Sequence, residues 1–255
     1  MTESPPPHIP VVVDPDPGPP DEGGLSMTLV EHLGELRRRL IWVVGTVLVG
    51  AIAAFAVSGQ VLDLLVLPLP EKYRTLHVTS PAGAFGAQLK IAGFIGLAFA
   101  MPVLLFHAYR FISPGLTSRE RRVVRPALFA AAFLFAAGVA LAYAVMPYMI
   151  RFLTGFIRPP FEDTFLVDEY IGFVTTTLLG FGLVLEFPIL LIVLAQIGIL
   201  NHAFLARRRR WAILVIVLVS IVLTPGSDPL SPLVLGLVMY GLFEISLLLI
   251  RRFRG

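Results

Sequence analysis

The chain has 255 residues, of which 56% are hydrophobic, with a mean hydropathy of +0.84, a net charge of +3 and no cysteine. A soluble domain is about 45–50% apolar, so this composition excludes an ordinary globular core. The lack of cysteine excludes disulfides, thiolate metal sites and cysteine nucleophiles.

Residues 1–26 hold eight prolines, among them Pro5, Pro6 and Pro7, together with Asp14, Asp16, Asp21 and Glu22. Such a segment cannot bury enough apolar surface to offset the entropy of ordering, and it predicts a disordered tail. It lacks the basic start and apolar centre of a signal peptide. From Thr28 the character changes to TLVEHLGELRRRL. Thr28 and Glu31 form a capping box, which predicts a helix start. Leu29, Leu33, Leu36 and Leu40 make one apolar stripe, with Glu31, Glu35 and Arg38 on another face. This reads as an amphipathic helix lying on the inner leaflet and leading into the first span.

Six apolar runs follow, at residues 40–57, 89–109, 126–148, 172–200, 211–224 and 233–250. A perpendicular span needs about 20 residues, roughly 17–25. The first four meet this, with Lys90 at the edge of the second. The fifth is short, bounded by Arg210 and Pro225, so it either crosses a locally thinned bilayer or forms half of a re-entrant hairpin with the sixth. Basic residues decide in favour of crossing. Fifteen of the 20 lysines and arginines fall on one side: Arg37, Arg38 and Arg39 before the first run, five arginines between the second and third, residues 207–210, and Arg251, Arg252 and Arg254 at the end. Only Lys72, Arg74, Arg151 and Arg158 fall on the other. The bias alternates at every loop, which predicts six crossings with both termini in the cytoplasm. Beside a membrane, residues 207–210 have lipid headgroups as their natural neighbours, and no nucleic acid is called for. The outer loops, 59–87 and 149–171, carry Pro68, Pro70, Pro81, Pro159 and Pro160, and predict short helices or caps on the periplasmic face.

Few polar residues could carry chemistry. Glu35 has a plain account as an i,i+4 partner of Arg39. Its placement beside an anionic leaflet, within an arginine cluster, is unfavourable unless something cationic uses it. Glu120 is the only acid among the arginines of FISPGLTSRERRVVR at 111–125, and an exposed internal salt bridge there contributes about 0–1 kcal/mol. Glu186, in FGLVLEFP near the middle of the fourth run, must be neutral, paired or facing water at that depth. Pro188 should kink the helix beside it. Gln196 and Glu244 are weaker cases, and Glu244 lies about two turns from Arg251. The five histidines are scattered without zinc spacing, and no nucleotide-binding glycine loop or Gly-x-Ser-x-Gly element occurs.

Three blocks together carry a resemblance: EHLGELRRRL at 31–40, FISPGLTSRERR at 111–122 and FGLVLEFP at 181–188, with Thr224, Pro225 and Asp228 before the last run. From about Thr28 to Arg252 the chain resembles the TatC family, the multispanning receptor subunit of the twin-arginine protein translocase. The resemblance implies an all-α membrane protein of six spans, both termini inside, with short fifth and sixth spans in a concave bundle. It implies no catalysed reaction and no cofactor. Glu35 and Glu120 match the glutamates that receive the paired arginines of an export signal. Phe111, Arg37 and Arg122 match positions of or near the same surface. Glu186, with Gln196, matches the intramembrane face that meets the helices of small single-span partner subunits. Pro68 and Asp228 match periplasmic-side positions. Folded precursors would be the cargo, the proton gradient the driving force, the inner membrane the location, and a self-associated multi-subunit complex the working form. Two departures stand out: residues 81–85 lack a glutamate common in the family, and the spacing from Thr224-Pro225 to Asp228 is one residue longer than in some relatives. The competing reading, a proton-coupled small-molecule transporter using Glu186, predicts paired internal repeats, and spans one to three do not mirror spans four to six.

Overall fold

A computed structural model describes residues 29–113, 117–157, 164–196, 198–200, 202–224 and 229–254. The proline-rich tail and Thr28 lie outside the described residues. Nine helices run through these segments: α1 Leu29–Phe55, α2 Ser58–Val66, α3 Pro81–Ile112, α4 Ser118–Thr154, α5 Val167–Val184, α6 Phe187–Gln196, α7 His202–Arg207, α8 Arg209–Leu223 and α9 Leu230–Arg254. A 3-10 turn occupies Glu71–Tyr73, and among the described residues the only β pairing is an isolated bridge between His77 and Leu166. Five helical stretches are long and apolar enough to cross a membrane: Val30–Phe55, Pro81–Ile112, Pro126–Thr154, Val167–Gln196 and Leu230–Arg252.

The helices differ from the sequence reading where capping and proline chemistry intervene. The amphipathic segment is not a separate surface helix. Nothing between Leu29 and Phe55 breaks the backbone, since the stretch contains no proline, so the segment and the first span form one rod of 27 residues, about 40 Å long. Helix α3 begins eight residues before its apolar run, because Ser80 caps it by accepting from Gly83 N at 3.1 Å and Pro81 suits the first helical position. Helix α4 likewise starts ahead of Pro126. The fourth run is broken: α5 stops at Val184 and α6 starts at Phe187. Pro188 has no N–H to give the Val184 carbonyl, so the ladder parts there, and the proline takes an early position in α6, where it is tolerated. The fifth run yields only the 15 residues of α8, about 22 Å.

Close helix crossings use glycine. A Cβ on Gly96 of α3 would sit 2.6 Å from both Ala51 N and Val47 O of α1. One on Gly138 of α4 would sit 2.5 Å from Phe181 O of α5, and one on Gly182 2.7 Å from the Phe135 ring. Small residues at crossings let backbones approach closely, which is how helices gain packing energy where lipid is as apolar as their side chains. Helix α5 is the most buried, and with α3, α4 and α9 it builds a core around Ile91, Met146, Ile171, Phe181 and Phe243.

The loop after the first long helix carries a short helix, α2, as expected of that stretch. At its C-terminal end Leu64 O accepts from Leu67 N and also from the Tyr143 hydroxyl of α4 at 2.8 Å, while Tyr170 of α5 donates to Leu65 O at 2.7 Å. Pro68 is buried in the turn that follows. Nearby, Lys90 of α3 reaches Asp168 of α5, with Nζ 2.7 Å from Oδ1, and His77 exchanges backbone hydrogen bonds with Phe165 and Val167.

Gly96→Ala should therefore separate α1 from α3, lowering stability by about 1–3 kcal/mol, while Gly93→Ala on the same helix, with open space around its Cβ, should change little. Unfolding temperatures of the two variants in one detergent check this.

Candidate functional site

The Gly50–Gly96 crossing clamps α1 along α3 and brings the basic end of α1 beside the C-terminal end of α3. Between them lies a cavity of about 460 Å³ lined by Glu35, Arg38, Arg39, Trp42, His107, Arg110 and Ser113. Glu35 and Arg39 form the i,i+4 ion pair read from the sequence, but it is no surface pair: each side chain is only 12% exposed. The Arg39 guanidinium has one N–H on Glu35 Oε1 and turns another towards the His107 carbonyl at 3.5 Å. Three buried polar atoms remain without a hydrogen-bond partner: Glu35 Oε2, Arg39 Nε and His107 Nδ1. Groups so placed are costly unless a ligand or water completes them.

Phe111 lies at the same end, stacked on His32 at 4.2 Å between ring centroids and 19° between planes. His32 is one turn before Glu35, so the stack fixes the cavity's outer edge. Arg121 on the first turns of α4 donates from Nε to Ser113 O at 3.0 Å and ties that helix to the rim. Glu120 is its neighbour on the backbone, but the Glu120 side chain lies outside the described residues. Arg37 and Arg122 are exposed and do not line the cavity.

The other site residues lie apart. Glu186 sits in the break between α5 and α6, half-buried, with its Oε1 buried and unpartnered. Gln196 ends α6. Asp228 lies outside the described residues. Glu244 does not rely on Arg251: its Oε2 accepts from Arg209 Nη2 of α8 at 2.9 Å. Among the described residues no group of three His, Asp or Glu side chains is placed to hold a metal ion.

Sequence reasoning missed His107, Arg110 and Ser113. Arg110 enters the sequence reading only through the charge bias between the second and third runs. His107 and Arg110 stand three apart, on one face of α3, but a lone histidine in an apolar run carries no signal until the helix against it is known.

A polytopic helical membrane protein with a polar, incompletely paired cavity at one end of its first two long helices is the class this arrangement defines. The family model for the Sec-independent protein translocase protein TatC matches residues 31–237, and the chain belongs to that family. It is 37% identical to the Sec-independent protein translocase protein TatC of Deinococcus radiodurans, over 100% of this chain and 95% of that one. It is 33% identical to the TatC of Carboxydothermus hydrogenoformans, over 87% and 91%. A crystal structure of the twin arginine translocase receptor TatC in DDM superposes with a TM-score of 0.76 at 33% identity, covering 86% of this chain and 99% of that one.

Glu186 is an unsatisfied buried polar group, so fold stability alone gives no reason to keep it. Glu186→Leu should leave the thermal unfolding midpoint unchanged or raise stability by about 1–3 kcal/mol. A marked fall would show that the carboxyl holds the helix break together.

Proposed function

We propose that this chain is the signal-receptor subunit of a twin-arginine protein translocase. It binds the paired arginines of export signals at the cytoplasmic cavity between α1 and α3 and recruits small single-span subunits to carry folded precursors across the cell membrane, driven by the proton gradient. The observation that carries the reading is Glu35: a largely buried carboxylate that lines the cavity and whose second oxygen is unpartnered. A guanidinium fork suits such an acceptor in a way that a lysine ammonium does not. Among the described residues the cavity wall has one carboxylate against three arginines, and it needs a second acid to receive two more. Glu120, next to the rim contact of Arg121, is that acid in this proposal. Phe111 shapes the edge, and Arg37 and Arg122 act from the flanks.

At the helix break, Glu186 with Gln196 forms the polar face for a partner helix, since a carboxyl kept at membrane depth without a partner is poised for one. Pro68 and Asp228 serve the periplasmic side. Residues 27–252 form the membrane domain, and residues 1–26 and 253–255 are cytoplasmic tails. The chain crosses six times with both ends inside. Arg209 at the start of α8 pairs with Glu244 of α9, while Ser220 lies against Gly236 and Met239. The two helices therefore run antiparallel, as consecutive crossings would, and local thinning accommodates the shorter one.

Two measurements test this. In a strain whose own subunit is replaced by this chain, Glu35→Gln should cut export of a twin-arginine reporter about 10–100-fold, whereas Glu71→Gln on the outer loop should not; normal export by the first variant would sink the receptor reading. Because the chain has no cysteine, single cysteines can map topology. Those at Ser118 and Ala206 should label only from the cytoplasm and those at Glu71 and Glu169 only from outside. Labelling of Ala206 from the outside would remove the fifth crossing.

A further inference from the structure

We infer that His107 is a second acceptor for a bound guanidinium and so helps the cavity distinguish arginine from lysine. The inference rests on the receptor reading above and adds a residue and an atom to it.

The geometry comes from the chain itself. One guanidinium, that of Arg39, already spans from the Glu35 carboxylate to His107, with Nη2 on Glu35 Oε1 and Nη1 towards the His107 carbonyl. The Glu35 carboxylate and the His107 backbone, on α1 and α3, are therefore within the span of a single guanidinium. Arg39 uses one acceptor of each residue. The other two, Glu35 Oε2 and His107 Nδ1, are buried and unpartnered, and both residues line the same cavity. A second guanidinium entering there would meet two further acceptors, a carboxylate oxygen for one N–H and an imidazole nitrogen for another. An ammonium can pair with the carboxylate, but it lacks the planar fork that reaches both acceptors at once. The imidazole Nδ1 faces a wall that already holds Arg38, Arg39 and Arg110. As an acceptor it offers an electron pair, and it leaves the carboxylates to supply the attraction.

Arginine preference is then shared between two residues, and only one of them is acidic. Removing the acceptor at His107 should weaken arginine binding while leaving lysine binding alone, a pattern that a purely structural histidine would not give.

The test uses the full-length chain in detergent and two synthetic signal peptides, alike except for an Arg-Arg or a Lys-Lys pair. The wild type should prefer Arg-Arg, and Glu35→Gln should abolish that preference. His107→Leu should weaken Arg-Arg binding about tenfold with Lys-Lys binding unchanged. His107→Asn, whose side-chain oxygen replaces Nδ1 as acceptor, should return it to within about threefold of wild type. As a readout independent of variant folding, the Nδ1 resonance of His107 in wild-type protein labelled with nitrogen-15 should shift on adding the Arg-Arg peptide and not the Lys-Lys peptide. An unchanged preference in His107→Leu, beside a lost one in Glu35→Gln, would overturn this inference and leave the receptor reading intact. Equal weakening of both peptides, or no rescue by asparagine, would also overturn it. Arg-Arg binding that ignores Glu35→Gln would take down the receptor reading and this inference together.

Discussion

A polar group at membrane depth has no water to turn to, so each backbone donor and acceptor must find its partner within the chain. The fold can be followed through how it meets that demand. Uninterrupted helices satisfy most groups internally. Carbonyls at the end of α2 accept from Tyr143 and Tyr170. Side chains meet the same demand, and among the described residues the buried polar atoms left without a partner belong to Glu35, Arg39 and His107 at one end of α1 and α3, Glu186 at the Pro188 break, and Glu244 beside α8.

Glycine placement is what allows the cavity between α1 and α3 to exist. With Gly96 at the crossing, α1 lies against the α3 backbone over much of its length, and its charged end arrives beside His107 and Arg110 rather than splaying into the headgroups. The stack of Phe111 on His32 and the bond from Arg121 to Ser113 then close the rim from two more directions. The cavity is thus held by rigid helices with short polar fastenings.

Much of this was legible in the sequence. The length and charge pattern of the runs give the helices, and three local blocks give the family. The break beside Glu186 follows from Pro188, and the Glu35–Arg39 pair from spacing of four on a helix. What stayed hidden depends on which helix lies against which. Periodicity places His107 on a face of α3 but cannot say that α1 covers it. Lys90 reads as an edge charge until Asp168, 78 residues later, is brought to 2.7 Å. Glu244 reads as a neighbour of Arg251 until α8 folds back and offers Arg209 instead. The amphipathic start was taken for a surface helix because composition changes at Leu40, whereas the backbone continues there without a break.

The most direct test of the central claim is photocrosslinking in native membranes with the partner subunits present. Probes would replace Leu36, beside Glu35, and Thr117, ahead of the α4 turn that carries Glu120. A precursor with a twin-arginine signal would be offered, and the same precursor with both arginines changed to lysine. Adducts at both positions with the arginine precursor alone are what a guanidinium-binding cavity between α1 and α3 requires. Equal labelling by the two precursors, or none, would reduce these glutamates to structural ion pairs and place the receptor surface elsewhere on the molecule.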